Sequence, residues 1–267
     1  MILFPNAKIN IGLNIVSRRE DGFHNLETIF YPLAIRDALE VVEADQLNFT
    51  SSGLQIPGNS TDNLCLKAYN ILALDHKLPP VHIHLHKHIP IGAGLGGGSA
   101  DASFFIRLMN EKFELGLDVK QMEAYASHLG SDCAFFIQNK PALALGKGDQ
   151  LQTIELDLYN YFIVLVMPEV QVSTSDAYRG VSPLAVANPL SALIKLPVEE
   201  WRFAIKNDFE PSVFLQYPII EEIKSKLYHH GALFASMSGS GSSVFGIFKE
   251  ELKLSDLEQD NKVFYGV

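Results

Sequence analysis

The stretch IPIGAGLGGGSADAS, residues 89 to 103, places five glycines within the seven positions 92 to 98 and so limits what the chain can fold into. Each glycine loses more conformational entropy on folding than any other residue, so such a run requires something that approaches the backbone closely. The preceding segment VHIHLHKHI alternates apolar and polar residues, which predicts a strand. Ser99 is a typical helix N-cap residue, and we expect it to begin a helix that runs to about Asn110. The sequence therefore predicts a strand, a glycine loop and a helix in direct succession.

This succession is typical of an anion site, because bare backbone N–H groups meet the positive end of the helix dipole at the start of the helix. Gly92, Gly94 and Gly97 spell the G-x-G-x-x-G pattern of dinucleotide-binding folds, but no convincing βαβ unit surrounds them. A Walker-type loop would end in G-K-S/T, and this loop ends in Gly98 and Ser99, which excludes it. A tight turn without a ligand is the structural alternative.

Composition restricts the partners more than the fold. The chain has 267 residues, 47% of them hydrophobic, which fits a soluble globular protein of one large or two small domains. A formal net charge of -10 argues against gripping nucleic acid through its phosphates. Two cysteines, Cys65 and Cys133, are too few for a disulfide framework, and we interpret them as small buried residues in a reducing compartment.

The sequence also predicts where the protein resides. The N-terminal segment MILFPNAKIN lacks the pattern of a signal peptide. The longest apolar run, YFIVLVM at 161 to 167, is far shorter than the roughly 18 residues that a membrane span needs. We therefore expect a cytoplasmic protein with no membrane partner.

Strands and helices mix along the chain without a βαβα rhythm, which favours an α+β fold. In KINIGLNIV, alternation places Ile9 and the following apolar residues on one face of a strand, and Lys8 and Asn10 on the other. Asp21-Gly22 predicts a turn before the returning strand LETIFYPL. Further strands are predicted at LEVVEA, QLNFT, YFIVLVM and SVFGIF, with the terminal FYGV as a closing edge strand.

Capping signals predict three further helices. Asp62 would cap one, Asp118 with Gln121 resembles a capping box, and Pro218 would open a helix that Gly231 closes. We place a subdomain boundary near 150 to 160, and we assign no motif to residues 180 to 216.

Four segments together resemble the GHMP kinases. PIGAGLGGGSADAS resembles their central motif, P-x-x-x-G-L-G-S/G-S-S/A, whose loop wraps the phosphates of ATP. AKINIGLNIVSRREDGFHNLETIF resembles the opening motif of the branch that acts on 4-diphosphocytidyl-2-C-methyl-D-erythritol, in which A-K-I/L-N is followed by a G-Y/F-H turn. LGSDCAFF and MSGSGSSVFGIF resemble two later motifs. The four occur in the family's order from Ala7 to Phe248.

The resemblance implies an α+β fold with a ribosomal-protein-S5-like N-terminal part, 1–155, and a ferredoxin-like C-terminal part, 156–267. It implies ATP-dependent phosphorylation of the substrate's 2-hydroxyl in the non-mevalonate route to isoprenoid precursors. Another GHMP kinase activity, on homoserine, mevalonate or a sugar, and a non-catalytic nucleotide sensor are the alternatives. The G-F-H turn joined to A-K-I-N argues against the first, and the joint presence of Lys8 and Asp132 argues against the second. We expect a monomer or a weak homodimer.

The resemblance also implies roles for individual residues. Asp132 corresponds to the catalytic aspartate that accepts the proton of the attacking hydroxyl, and Lys8 to its paired lysine. Ser99 would lie near the β- and γ-phosphates and Mg²⁺. The ATP-binding residues would be Asn63, Lys87, Pro90, Gly92, Gly94, Leu95, Gly96, Gly97, Gly98, Ser99, Ala100, Gly239 and Ser240.

The substrate half of the site follows from the same resemblance. Phe23 and Tyr178 correspond to the two aromatic residues that sandwich the cytosine ring, with Phe23 in place of the commoner tyrosine. His24 would read the edge of the base by hydrogen bonds. Asn10 would face the erythritol part and Thr174 the polar groups of the substrate.

One histidine pattern remains outside these motifs. His82, His84, His86 and His88 share one face of the predicted strand, with neighbours about 7 Å apart. That spacing permits a metal site, and a histidine-rich metal carrier is the third functional alternative. No second cluster of metal-binding residues completes it in the sequence, which favours a solvated strand face.

Overall fold

Alternating side chains build the long first hairpin of the computed structural model, which describes residues 1–181, 183 and 188–267. Its two strands meet at the turn that Asp21 and Gly22 predict. In chain order the strands are β1 (Ile2–Leu3), β2 (Asn6–Arg18), β3 (His24–Arg36), β4 (Ala38–Glu43), β5 (Asn48–Gly53), β6 (Val81–Lys87), β7 (Ala142–Leu145), β8 (Gln150–Thr153), β9 (Phe162–Pro168), β10 (Phe234–Met237), β11 (Val244–Phe248) and β12 (Asn261–Tyr265).

Helices alternate with these strands irregularly, as the α+β interpretation requires. A short 3₁₀ turn, Ser60–Asp62, precedes the first of them. In chain order the helices are α1 (Leu64–Asp75), α2 (Gly97–Lys112), α3 (Val119–Ser127), α4 (Phe135–Gln138), α5 (Thr174–Arg179), α6 (Leu190–Leu193), α7 (Val198–Ala204), α8 (Glu210–Gln216), α9 (Pro218–His229) and α10 (Ser255–Glu258).

The strands form three four-stranded sheets among the described residues. Their orders are β1-β4-β6-β5, β2-β3-β7-β8 and β10-β11-β9-β12. The pair β5–β6 is parallel, whereas β9 runs antiparallel to both of its neighbours. The apolar run YFIVLVM forms β9, which is nearly continuously buried in the interior of its sheet, as predicted. The edge strand β12 ends at Tyr265, so Phe264 and Tyr265 of the predicted FYGV belong to it, whereas Gly266 and Val267 follow it.

The chain forms two compact units that are interleaved in sequence. The first comprises Met1–Lys8, Ile35–Ile91 and Gly96–Lys140. It contains the sheet β1-β4-β6-β5, and within it α2 packs against α1, α3 and α4. The second unit comprises Ile9–Ala34, Gly92–Leu95 and Pro141–Val267, and its core joins β9, β10 and β11 to α8 and α9.

Two predicted caps are wrong by one and three positions. Asn63, not Asp62, caps α1, because its Oδ1 accepts the N–H of Cys65 at 2.9 Å while Asp62 ends the 3₁₀ turn. Gly96, not Ser99, is the N-cap of α2, where it adopts a left-handed conformation with φ 69°. The capping box of Asp118 and Gln121 and the helix between Pro218 and Gly231 are confirmed. Residues 182 and 184–187, part of the segment 180 to 216 without a motif, lie outside the described residues.

Candidate active site

An ion pair connects the first predicted motif to the third. Lys8 Nζ lies 3.3 Å from Asp132 Oδ2, although 124 positions separate the two residues in sequence. The Lys8 side chain is only 4% exposed, whereas that of Asp132 is 31% exposed. Lys8 belongs to β2, and Asp132 to the turn that leads into α4. The carboxylate is therefore open to a ligand from one side, while the buried ammonium holds it from the other.

The start of α2 lies directly beside this pair. A Cβ on Gly96 would lie 3.2 Å from Lys8 Cε and 3.0 Å from the Phe136 ring, so the lysine stem passes against the residue that precedes the helix. The N-cap residue Gly96 has no side chain that could cap α2, and the first turn of the helix carries no acidic residue. The first backbone N–H groups of a helix lack intrahelical partners, and the helix dipole adds positive potential. This helix start is therefore suited to an anion.

Ser99 lies within that first turn, in the third position of the helix. Its hydroxyl neighbours the Cys133 thiol, whose pKa burial raises to about 11 against a smaller lowering by the Ser99 hydrogen bond. Cys65 is likewise buried, and both cysteines are free, as expected. The oxygen donors Ser99 and Asp132 are of the kind Mg²⁺ prefers, and this ion takes few protein ligands when phosphates are present. Among the described residues no group of three or more His, Cys, Asp or Glu could hold a metal alone.

A cavity of about 270 Å³ opens in the first unit next to Gly98. Asn63 and Lys87 line it, together with apolar residues that include Phe49, Ile56, Pro57, Leu64 and Ile91. Polar residues, which include Ser51, Asn59, Ser60, Asp62 and Asp101, complete its lining, so the cavity offers both apolar faces and hydrogen-bonding groups to a flat heterocycle. The structure thus brings Asn63 and Lys87 to one cavity.

Lys87 is, however, enclosed by two carboxyl groups that the sequence analysis did not identify. Its ammonium donates to Asp37 and, at 2.7 Å, to Asp101 Oδ2, and all three side chains are buried. Burial opposes the charge of Lys87, but Asp101 and Asp37 outweigh burial and raise the pKa of its ammonium. Burial raises the pKa of Asp101 to about 8, against the opposing effect of Lys87.

Asp37 also holds the entrance to the glycine loop. Its Oδ1 accepts the backbone N–H of His88 at 2.6 Å and that of Ile89 at 2.8 Å. A Cβ on Gly97 would lie 3.0 Å from Lys87 Nζ. This buried cluster therefore fixes both the end of β6 and the start of α2. Asp37 lies 50 positions from Lys87, and no local pattern pointed to the contact.

The first half of the glycine loop belongs to the second unit and packs against the last motif. A Cβ on Gly94 would lie 2.1 Å from the carbonyl oxygen of Ser238, and the Ser238 hydroxyl donates to the Gly94 carbonyl at 2.9 Å. Ser238 Oγ also accepts the backbone N–H of Asn10 at 3.2 Å. A Cβ on Gly239 would lie 3.2 Å from Asn10 Oδ1. These glycines are required by close backbone approach. Pro90, Leu95 and Ala100 are buried apolar supports of the same loop.

The aromatic residues differ in part from the predicted sandwich. His24 stacks on Tyr178 with ring centroids 4.9 Å apart, whereas Phe23 is 60% exposed and has Lys147 5.2 Å above its ring. A separation of 4.9 Å is that of two rings in direct contact, so no base fits between His24 and Tyr178 in this arrangement.

Two more predicted substrate residues, Thr174 and Asn10, lie in different surroundings: Thr174 lies near the last motif and Asn10 lies against β3. Thr174 Oγ1 lies 3.2 Å from Ser240 Oγ at the start of α5. Asn10 is buried, and its Nδ2 donates to Thr28 Oγ1 at 2.9 Å. The hydroxyls of Thr174 and Ser240 thus form a pair at the surface, whereas the side chain of Asn10 is buried and fixed by its hydrogen bond to Thr28.

The histidines of β6 form a hydrogen-bonded row with two hydroxyls of β5. Thr50 Oγ1 lies 2.8 Å from His82 Nε2 and 2.8 Å from His84 Nδ1. Ser52 Oγ lies 3.0 Å from His84 Nε2 and 3.0 Å from His86 Nδ1. The row engages both ring nitrogens of His84 and one ring nitrogen each of His82 and His86.

Comparison with known proteins gives a consistent result over the whole chain. The family model "GHMP kinases N terminal domain" matches residues 63–140, and "GHMP kinases C terminal" matches residues 189–262. A 4-diphosphocytidyl-2-C-methyl-D-erythritol kinase of Bacteroides fragilis is 53% identical over 262 residues, covering 97% of this chain and 96% of the relative. One of Parabacteroides distasonis is 52% identical over 250 residues, covering 94% and 92%.

Solved structures agree with these relatives. A crystal structure of 4-(cytidine 5'-diphospho)-2C-methyl-D-erythritol kinase superposes with a TM-score of 0.83 at 30% identity, covering 100% of this chain and 98% of the other. A mevalonate kinase has a TM-score of 0.73 at 14% identity, with coverage of 99% and 98%, which is a likeness of fold alone. Within the part of the chain that the structure describes, no helix is long and apolar enough to cross a membrane.

Proposed function

The chain belongs to the GHMP kinases and, within them, to the 4-diphosphocytidyl-2-C-methyl-D-erythritol kinases, and from this membership we infer the roles of its residues. It is an ATP-dependent kinase that phosphorylates 4-diphosphocytidyl-2-C-methyl-D-erythritol in the non-mevalonate pathway to isoprenoid precursors. The acceptor we propose is the 2-hydroxyl of the erythritol part.

We propose that Asp132 and Lys8 are the catalytic residues. Asp132 accepts the proton of the attacking hydroxyl, and in a loose transition state that transfer comes late, so a carboxylate is a sufficient base. Lys8 keeps the carboxylate ionised and offsets charge on the moving phosphoryl group. The single observation that carries this proposal is the 3.3 Å ion pair beside the uncapped start of α2.

The triphosphate of ATP is proposed to bind along the glycine loop, from Pro90 to Ala100. Its negative charge would be met by the backbone N–H groups of Gly97, Gly98 and Ser99 at the start of α2. The base would enter the adjacent cavity lined by Asn63 and Lys87. Because the ammonium of Lys87 is enclosed by Asp37 and Asp101, we assign it a supporting role under the loop rather than a direct phosphate contact.

The ion Mg²⁺ would be held by Ser99 with the phosphates of ATP, and the hard oxygen donors at the start of α2 fit it. When bound, it neutralises phosphate charge during transfer.

We assign substrate recognition to Asn10, Phe23, His24, Thr174 and Tyr178. Tyr178 offers a ring face for the cytosine, and His24 offers ring nitrogens for its edge, once the two rings separate. Gly239 and Ser240 we propose as nucleotide contacts of the last motif, with Ser240 paired to Thr174.

Several broader features also remain proposals. The family's two domains would divide the sequence at 1–155 and 156–267. We propose a cytoplasmic enzyme, monomeric or weakly dimeric, that binds no nucleic acid, consistent with its net charge of -10.

The decisive experiment offers purified protein ATP together with the cytidyl substrate, homoserine, mevalonate or a sugar, and measures ADP release. We expect turnover with the cytidyl substrate alone. Turnover of another alcohol only would identify a different GHMP kinase, and ATP binding without any turnover would identify a sensor. Elemental analysis of the protein for stoichiometric zinc or nickel tests the metal-carrier alternative.

A further inference from the structure

Four consecutive residues in the segment without an assigned motif, Asn207 to Glu210, contact several separate elements of the second unit. Asn207, Phe209 and Glu210 are buried, and Asp208 is half-buried. Buried polar side chains are costly unless they are satisfied, so a run of them is unusual in a core. We call these residues the NDFE segment.

Asn207 holds the last glycine motif. Its Nδ2 donates to the carbonyl oxygens of Met237 and Gly239, both at 2.8 Å, and its Oδ1 accepts the N–H of Phe209 at 3.0 Å. Gly239 lies against Asn10, because a Cβ added to it would lie 3.2 Å from Asn10 Oδ1. The amide of Asn207 is therefore fully used in fixing a turn that borders a proposed substrate residue.

Asp208 holds strand β2 just beyond Asn10. Its Oδ2 accepts the N–H of Ile15 at 2.8 Å, and its own N–H donates to the Leu13 carbonyl at 2.8 Å. The preceding Lys206 carbonyl accepts the N–H of Leu13 at 2.9 Å. The segment thus runs beside β2 as a short parallel bridge.

Phe209 and Glu210 support the aromatic residues and β10. The ring of Phe209 meets Tyr178 edge-on, with centroids 4.8 Å apart and planes at 82°, while Tyr178 stacks on His24. Glu210 accepts the N–H of Met237 at 2.9 Å and the ammonium of Lys224 at 2.6 Å. Phe209 therefore packs behind the ring that we assign to cytosine.

We infer that the NDFE segment is the positioning element of the substrate site, in which Phe209 fixes the Tyr178 ring and Asn207 fixes the turn at Gly239 without touching the substrate themselves. This inference rests on the proposed function. Apolar side chains could fill a purely structural role at a lower desolvation cost. The contacts of the NDFE segment instead reach Tyr178, Gly239 and the strand β2 that carries Asn10, which are parts of the proposed site.

The test compares Phe209→Leu with Ile223→Val, a substitution on α9 within the same core. Both lower the melting temperature. Phe209→Leu should raise KM for the cytidyl substrate about tenfold while KM for ATP stays within twofold, because only the cytosine ring loses its support. Ile223→Val should leave both KM values within twofold. Calorimetric titration with CDP should show the same tenfold loss of affinity in Phe209→Leu.

A second variant, Asn207→Asp, replaces the two donated hydrogen bonds with an oxygen facing two carbonyl oxygens. We expect kcat/KM for the cytidyl substrate to fall at least tenfold. Wild-type KM and CDP affinity in Phe209→Leu, with a lower melting temperature, would overturn the inference. If the wild type binds CDP but does not turn over the cytidyl substrate, the proposed function fails, and the CDP titration still decides the role of Phe209.

Discussion

Two buried lysines differ in the exposure of the carboxyl groups beside them. Asp132, beside Lys8, is partly open to solvent, whereas Asp37 and Asp101, beside Lys87, are buried. A ligand can reach an ion pair whose carboxylate is partly open, but it cannot reach one that is buried on both sides. This difference is why we propose a catalytic role for Lys8 and a supporting role for Lys87.

The role of Asp132 is tested by Asp132→Asn. We expect kcat to fall at least about a hundredfold, because the amide cannot accept a proton. Affinity for a non-hydrolysable ATP analogue, measured by calorimetry, should stay within about threefold. The matched control is Asp45→Asn, the same change at an exposed aspartate outside the proposed site, whose activity should stay near that of the wild type. Wild-type turnover in Asp132→Asn would refute the assigned role.

Asp101 should make stability depend on pH. Its pKa is raised to about 8 in the folded protein from an ordinary 3.8, so between these values the folded state keeps a proton that the unfolded state has released. Stability from this group is therefore fully present below about pH 4 and is lost as pH rises to about 8, by up to about 1.4 kcal/mol per pH unit.

The measurement compares melting temperatures of Asp101→Asn and wild type from pH 5 to 8. The uncharged amide keeps the shape of the carboxyl group without its titration. The melting temperature of Asp101→Asn, relative to that of the wild type, should increase steadily as pH rises. Melting curves that shift in parallel across this range would show that Asp101 does not titrate there.

The resemblance paired Lys8 with Asp132, but nothing in the sequence indicated the partners of Lys87. Lys8 and Asp132 were paired through motifs that lie far apart in the chain, and the structure brings them together. The carboxyl groups around Lys87 were not predicted, because Asp37 contacts it across 50 positions with no motif to link them. Phe23 and His24 are adjacent, and only their side-chain directions decide which ring meets Tyr178.

Among the elements, α2 shows how the residue that precedes a helix determines where the helix starts. Its start is set by Gly96 in a left-handed conformation, which few residues other than glycine adopt. Ser99 is of a residue type that commonly caps helices. Local preference alone could not predict that the N-cap lies three positions earlier, at Gly96. The strands were predicted more reliably, because the alternation of apolar and polar residues can be seen in neighbouring positions of the sequence and is kept in the folded sheets.

Substitutions in the glycine loop should separate backbone conformation from close approach. Gly92→Ala and Gly94→Ala both place alanine at positive φ, +71° and +76°, at a cost of about 1–2 kcal/mol. At Gly92 no atom lies within 4 Å of the added Cβ, whereas at Gly94 the Ser238 carbonyl oxygen lies at 2.1 Å. Urea unfolding should therefore show a clearly larger loss for Gly94→Ala. Equal losses would mean that the contact with Ser238 relaxes freely.

At the scale of the whole molecule, the compact units do not follow the order of the chain. Residues Ile9–Ala34 belong with Pro141–Val267, so a long N-terminal hairpin completes the C-terminal half. Sequence signals are local and divide a chain into consecutive pieces. The α+β class was therefore predictable, but the interleaving of the two units along the chain was not. The division at 1–155 and 156–267 stays a prediction about family domains rather than about compactness.

Hydrogen exchange offers a test across both units. A non-hydrolysable ATP analogue should slow exchange at residues 96–100 and around Asn63, and CDP should slow it at residues 23–28 and 174–178. Each ligand is thus expected to protect the residues assigned to it, with the wild type alone as reference. Protection of residues 174–178 by the ATP analogue, and not by CDP, would reverse the two assignments.

The row of His82, Thr50, His84, Ser52 and His86 has a consequence of its own. A neutral imidazole carries one ring proton, and a hydroxyl donates once, so a complete row can point in only two ways, all toward His82 or all toward His86. Turning a single link around obliges every other link to turn. The tautomers of the half-buried His82 and the exposed His86 are therefore coupled through the row, although the two rings do not touch.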